Sequence, residues 1–126
     1  MAIQRLAIVS VPVSDQDRAK RFYTEVLGFV AGRDSPFRDS ARWIELKPTI
    51  DSTLTITLVT WFPSMPPGSL RGLVLLADDL DATHEMLRMR GLSSESSIQT
   101  APWGRYASFS DPDGNGWVLQ EARPGS

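Results

Sequence analysis

The sequence predicts an α+β fold of one domain, residues 1–126, built from two tandem βαβββ modules. Two observations predict it. First, landmarks of the first half return in the second half 63 or 64 positions on. Asp15 and Asp17 recur as Asp79 and Asp81, Gly28 as Gly91, and Arg42-Trp43 as Arg105-Tyr106. A fixed internal period is the mark of a duplicated structural unit. Second, each half runs from an apolar strand-like segment to an Asp, a helix-like stretch, a Gly and further strand-like segments. Module one is placed at about 1–62 and module two at about 69–126. Pro63-Ser64-Met65-Pro66-Pro67-Gly68 joins them, stiffened by its prolines.

Leu6 to Val13 is apolar and β-branched and reads as a strand. Ser14 suits an N-cap, with Asp15 and Asp17 in the first turn facing the positive end of the helix dipole. Ala19, Phe22, Tyr23, Val26 and Leu27 share one helical face, and Gly28 suits the residue past the helix end. A strand near Phe29 to Arg33, a loop from Asp34 to Ala41 and a strand from Arg42 to Lys47 follow. Thr53 to Trp61 is the clearest strand, because Thr53, Thr55 and Thr57 alternate with Leu54, Ile56 and Leu58.

In module two, Leu70 to Ala77 reads as a strand, Asp78 as a cap candidate and Asp79 to Arg90 as a helix ending at Gly91. A weak strand falls within Leu92 to Gln99. Gly104 to Ser110 and Gly116 to Ala122 read as a hairpin joined by Asp111-Pro112-Asp113-Gly114-Asn115, a run of turn-forming residues.

Composition excludes several function classes. Thirteen Lys and Arg against fifteen Asp and Glu give a formal charge of −2, with no basic stripe for nucleic acid. The absence of cysteine removes disulfides, thiolate metal sites and thiol nucleophiles. No segment is apolar for long enough to span a bilayer, and Met1 to Arg5 lacks the apolar run of a signal peptide. A cytoplasmic protein without nucleic-acid or membrane partners is expected.

Three pieces occur in a telling order. They are Val11-Pro12-Val13-Ser14-Asp15 leading to Phe22-Tyr23 and Leu27-Gly28-Phe29, then Asp78-Asp79-Leu80-Asp81, then Phe109-Ser110-Asp111-Pro112-Asp113-Gly114-Asn115. With these on paired βαβββ units, the chain resembles the vicinal oxygen chelate superfamily of glyoxalase I, bleomycin-resistance proteins and extradiol dioxygenases. The resemblance covers nearly the whole chain. It implies two curved, mixed four-stranded sheets, each rolled around a cavity. It also implies metal ligands on the inner face in the enzymes of the family. Here those positions read Ile8, Gly72, Val118, and Thr55 or Thr57. A divalent ion needs several converging N or O side chains, which Ile, Gly and Val do not supply. No metal site, catalytic residue or cofactor is therefore expected. His84, the single histidine, aligns with Lys20 and reads as a surface residue on the second helix.

Strand alternation gives the inner face. If Leu54, Ile56, Leu58, Trp117 and Leu119 face the helices, then Thr55, Thr57, Val59, Trp61, Val118 and Gln120 face the cavity. Ile8, Ser10, Val74 and Leu76 join them by the same parity. Trp43, Glu45, Tyr106 and Ser108 are additions of less certain phase, and Trp43 and Tyr106 also suit a core. Trp61-Phe62 and Trp103 border loops and suit either a cavity mouth or a dimer contact. The ligand-binding set is thus Ile8, Ser10, Trp43, Glu45, Thr55, Thr57, Trp61, Trp103, Tyr106, Val118 and Gln120. Asp111 to Asn115 reads as a turn rather than a calcium loop, since no bidentate Glu follows. Arg105 has either an anionic ligand or Asp111 as its candidate partner.

The leading function is metal-free binding of a small hydrophobic or aromatic molecule, with a homodimer as the expected assembly. Three alternatives stay open: a metal-dependent lyase or dioxygenase with unusual ligands, a metal-independent enzyme using Glu45 or Tyr106, and a protein-association domain.

Overall fold

The computed structural model describes residues 2–122. The module ends assigned to residue 1 and residues 123–126 lie outside the described residues. Module one contains β1 (Ile8–Pro12), α1 (Gln16–Arg21), a π-helical turn (Phe22–Val26), β2 (Val30–Arg38), β3 (Ala41–Lys47) and β4 (Thr55–Val59). Module two contains β5 (Leu73–Ala77), α2 (Leu80–Met89), β6 (Gln99–Ala101), β7 (Gly104–Ser110) and β8 (Gly116–Glu121). The strands form two mixed sheets of identical plan, β1-β4-β3-β2 and β5-β8-β7-β6. In each the first strand runs parallel to the last, and the other pairs are antiparallel.

The helix starts repeat as the sequence predicts, but one residue later than the cap candidates. Asp15, in extended backbone, accepts a hydrogen bond from the Arg18 N–H at 3.0 Å. Asp79 does the same for Ala82 at 3.0 Å. Ser14 is instead drawn to the far hairpin, where its hydroxyl donates to Asp113 Oδ1 at 2.6 Å. The first helix does not stay α to its end. Thr24 Oγ1 donates to the Lys20 carbonyl at 2.8 Å, and the Leu27 N–H reaches Phe22 O, a five-residue step. Gly28, at φ 77°, then reverses the chain so that the Phe29 N–H bonds Tyr23 O at 2.8 Å.

The expected loop from Asp34 to Ala41 is mostly strand. β2 continues to Arg38, and only Asp39 and Ser40 turn. Pairing with β3 overrides the Gly, Asp and Pro signals by placing bulges between Ala31 and Asp34 and between Pro36 and Arg38. Asp34 also becomes a bridge, accepting from Lys20 Nζ at 2.8 Å and Arg42 Nε at 2.9 Å. Arg42 holds the Asp34 carboxyl below its ordinary value, and Lys20 adds to the effect. The repeated arginines keep a repeated partner. Arg42 pairs with Asp17 at 2.8 Å, and Arg105 pairs with Asp81 at 2.9 Å and Glu121 at 3.0 Å. Among the described residues the ion-pair partners of Arg105 are therefore Asp81 and Glu121 rather than Asp111.

One core joins both modules. Ile44, Leu46, Ile56 and Leu58 of sheet one, Phe109, Trp117 and Leu119 of sheet two, and Tyr23, Leu80 and Leu87 of the helical segments are all buried in it. Leu54 precedes β4, is partly exposed and lies outside this cluster, because the strand begins one residue later. Gln16 pins α1 to sheet one. Its amide donates to Arg42 O at 2.7 Å and Leu58 O at 2.8 Å and accepts from the Arg42 N–H at 3.0 Å.

The modules are locked together by polar groups inside this core. The Tyr23 hydroxyl donates to Asp111 Oδ2 at 2.7 Å and accepts from Trp117 Nε1 at 3.0 Å. Asp111 also accepts from Asn115 Nδ2 and from the backbone N–H groups of Asp113 and Asn115, at 2.8 to 3.0 Å. Burial, with Asp111 adding to it, pushes the Tyr23 phenol far above its ordinary value, so it stays a donor. The turn expected at Asp111 to Asn115 is therefore a turn held by its own buried carboxylate.

His84 is half-buried, and its Nε2 lies 2.8 Å from the Ser96 carbonyl, so it ties α2 to the segment before β6. Leu87 packs in the core, whereas its neighbour Met86 is exposed. Tyr23→Phe should leave the Trp117 N–H buried without a partner and cost about 1–3 kcal/mol. His84→Ala should cost no more than about 1 kcal/mol. Urea denaturation of both variants checks the order. An equal loss would show that the Tyr23 network does not join the modules.

Candidate functional site

Register fixes which side chains share a face. Ile8 pairs with Thr55, Ser10 with Thr57, and Glu45 with Thr57. Directly paired residues project to the same side of a sheet, so these form rows opposite the buried Ile44, Leu46, Ile56 and Leu58. Trp43, two residues before Glu45, lies in the same set. In sheet two, Val74 pairs with Val118 and Val118 with Ser108, while Leu76 pairs with Gln120 and Gln120 with Tyr106. Trp43 and Tyr106 thus face away from the helices, and the core role open to them in the sequence goes to Trp117, which is 3% exposed.

Sheet one carries the denser site. Trp61 follows β4 and stacks on Trp43 with ring centres 6.2 Å apart and planes 23° apart. Phe37 closes against both, at 4.7 Å from Trp61 and 5.4 Å from Trp43, and Phe62 extends the band at 6.2 Å from Trp61. Phe37 was missed by sequence reasoning because it falls in the segment read as a loop. Strand alternation gives no signal for it, because Phe37 sits at the bulge between Pro36 and Arg38. The Trp43 indole N–H donates to Glu45 Oε2 at 2.6 Å. Beside Glu45 a cavity of about 160 Å³ is lined by Val30, Gly32, Lys47, Ile50 and Thr55. Trp61 also borders two hollows of about 340 and 360 Å³ at the end of the sheet, one toward Phe62 and the prolines of the joint, the other toward Arg38 and Ser40. Thr57 lies in the expected row but is fully buried, its hydroxyl 3.5 Å from that of Ser10.

Sheet two carries the rest. Trp103 and Tyr106 stack at 4.9 Å and 26°, while Val118 and Gln120 are half-buried beside them. Val74 and Leu76 stand 53% and 61% exposed on the same face, so the open side of this sheet is apolar. The sequence-derived set is therefore divided. Ile8, Ser10, Trp43, Glu45, Thr55, Thr57 and Trp61 belong to sheet one. Trp103, Tyr106, Val118 and Gln120 belong to sheet two. Among the described residues no hydrogen bond or ring contact links the two groups.

The positions where related enzymes hold a metal do not fit one here. Ile8 and Val118 present hydrocarbon, Gly72 presents no side chain, and Thr55 and Thr57, the alternatives for the fourth position, are both buried. Glu45 and Gln120 lie on different sheets. Among the described residues no three His, Asp or Glu side chains converge on a point.

Comparison with known proteins places this geometry. The structure of TnmS3, an antibiotic binding protein from Streptomyces sp. CB03234, is 46% identical, covers 98% of this chain and 99% of that one, and superposes with a TM-score of 0.90. A glyoxalase/bleomycin resistance protein from the same Streptomyces strain is 47% identical, covers 92% of this chain and 99% of that one, and has a TM-score of 0.80. The uncharacterized protein YetH of Bacillus subtilis (strain 168) is 32% identical over 94% of this chain and 99% of its own length. The model of the glyoxalase/bleomycin resistance protein/dioxygenase superfamily matches residues 5–119. On this match and on the paired four-stranded sheets, the chain belongs to that superfamily.

Proposed function

We propose that the protein binds a small planar, largely apolar molecule on the open sheet faces without a metal ion, in the manner of an antibiotic-binding protein. The observation that carries this reading is the band of aromatic rings, Phe37, Trp43 and Trp61, left on an open face of sheet one. A folding chain gains by burying such rings, and a set left outside the core beside one carboxylate suits ring-on-ring contact with a guest. The 46% identity to TnmS3 supports the same reading. The hydrocarbon at the family's metal positions supports the metal-free part. A metal-dependent lyase or dioxygenase would need donors that Ile8, Gly72 and Val118 lack.

A homodimer belongs to the same proposal. Ile8, Val74 and Leu76 expose apolar surface on strands at the sheet edges, and such surface favours a partner. A second copy laid across these faces would cover them and bring a Trp103–Tyr106 pair toward a Trp43–Trp61 pair, which one chain keeps apart. Cytoplasmic location remains part of the proposal. Among the described residues no helix is long and apolar enough to cross a membrane.

Three outcomes test this. Elemental analysis of protein purified without chelator should find no stoichiometric zinc, nickel, iron or manganese, and about one ion per chain would overturn the metal-free reading. Leu76→Asp should shift sedimentation from dimer to monomer. Val118→Trp fills space on the open face and should weaken a ligand found by screening at least about tenfold, about 1.4 kcal/mol, with the melting transition retained. Undiminished binding by Val118→Trp would remove sheet two from the site.

A further inference from the structure

We infer that the module-one face selects planar ligands that carry a hydrogen-bond donor, an amine or a hydroxyl, and that Glu45 receives it. The inference rests on the binding reading above and names the ligand class it takes.

The argument is one of complementarity. Trp43 and Glu45 sit two apart on β3 and project to the same open side. The Trp43 N–H is consumed by Glu45 Oε2 at 2.6 Å. Trp43 therefore offers a guest its π-face and no donor. Phe37 has no polar group, and Trp61 stacks nearly parallel to Trp43. A carboxylate accepts at two oxygens, and among the described residues Glu45 has the Trp43 indole as its hydrogen-bond donor and no ion-pair partner. No hydrogen bond among the described residues engages its second oxygen, and Glu45 lines the cavity of about 160 Å³ with Thr55 and Gly32. Lys47 stands at the wall of that cavity on the same face, but no ion pair joins it to Glu45. The face thus presents π-surface and an acceptor. A ring system with a donor at its edge satisfies both, while a ring without one leaves the carboxylate stripped of water and unmatched. A protonated amine gains further from the ring faces, whereas an anion meets like charge. Trp43 is a positioning residue as well as a stacking surface, because its N–H restrains the rotamer of Glu45.

Four naphthalene probes test this by calorimetry on the full chain: naphthalene, 2-naphthol, 1-naphthylmethylammonium and 2-naphthoate. The parent should bind 2-naphthol and the ammonium at least about tenfold tighter than naphthalene, and 2-naphthoate weakest. Glu45→Leu should erase the difference among the three non-acidic probes. Glu45→Gln should weaken the ammonium most and spare 2-naphthol, which separates charge from simple hydrogen bonding. Trp43→Phe keeps a ring but frees Glu45, so naphthalene affinity should hold while the preference for donors falls severalfold. If Glu45→Leu does not fold, the parent series and Trp43→Phe still decide. Naphthalene binding with no preference for donors, or a preference that survives Glu45→Leu, overturns the inference and leaves the aromatic-face reading intact. No binding of any probe by the parent overturns that reading as well.

Discussion

The structure depends on one buried carboxylate. Asp111 is 5% exposed and would be costly in a core if it were unmatched. It is matched four times over, by the Tyr23 hydroxyl, the Asn115 amide and two backbone N–H groups of its own turn. These partners come from both modules. Tyr23 belongs to the π-helical turn that ends the first helix of module one, and Asn115 immediately precedes β8 of module two. Asn115 then spends its amide on Pro12 O at 2.8 Å and accepts from the Leu70 N–H at 3.1 Å. The end of β1, the start of module two at Leu70, the hairpin turn and the π-helical turn therefore meet at one polar knot surrounded by Phe29, Phe109 and Trp117. Each group in it is satisfied only while the others are in place, which makes the knot specific as well as stabilising.

That knot determines what is left open. By drawing both helical segments and the inward faces of both sheets into a single core, it commits Ile56, Leu58, Trp117 and Leu119 to packing. The alternate residues of the same strands have no such claim on them. A β-strand cannot place two consecutive side chains on one face, so a core on one side guarantees a second surface on the other. That second surface is apolar and aromatic, with Trp43, Trp61, Val74 and Leu76 outside the core cluster.

The Asp-to-Arg pairs show how far duplication constrains the chain. Arg42 and Arg105 occupy equivalent places and reach back to equivalent acids on the preceding helix, Asp17 and Asp81. Their second partners differ, Asp34 in module one and Glu121 in module two. Module one accordingly has a long, bulged β2 that brings Phe37 onto the aromatic band. Module two has the three-residue β6 in its place and keeps a smaller ring pair. The same plan thus yields two unlike faces, one dense in aromatics with a carboxylate and one mainly aliphatic.

The sequence by itself determined the paired βαβββ plan, the helix starts at Asp15 and Asp79, the helix ends at Gly28 and Gly91, and the alternation of β8 between buried and half-buried residues. Those features are local. Caps, left-handed glycines and the two-residue alternation act over a few positions and leave a direct trace in composition. Only the tertiary structure decided the length of β2, the phase of Trp43 and Tyr106, and the burial of Thr55, Thr57 and Val59 on β4. Each of these turns on which strand lies beside which. Pairing across β2 and β3 absorbed Gly32, Asp34 and Pro36 into a strand through bulges, and contact with Ser10 and Glu45 covered a threonine that alternation alone would leave open. The Tyr23–Asp111 bond was equally invisible, because it joins residues 88 positions apart that are brought together only by packing one module against the other.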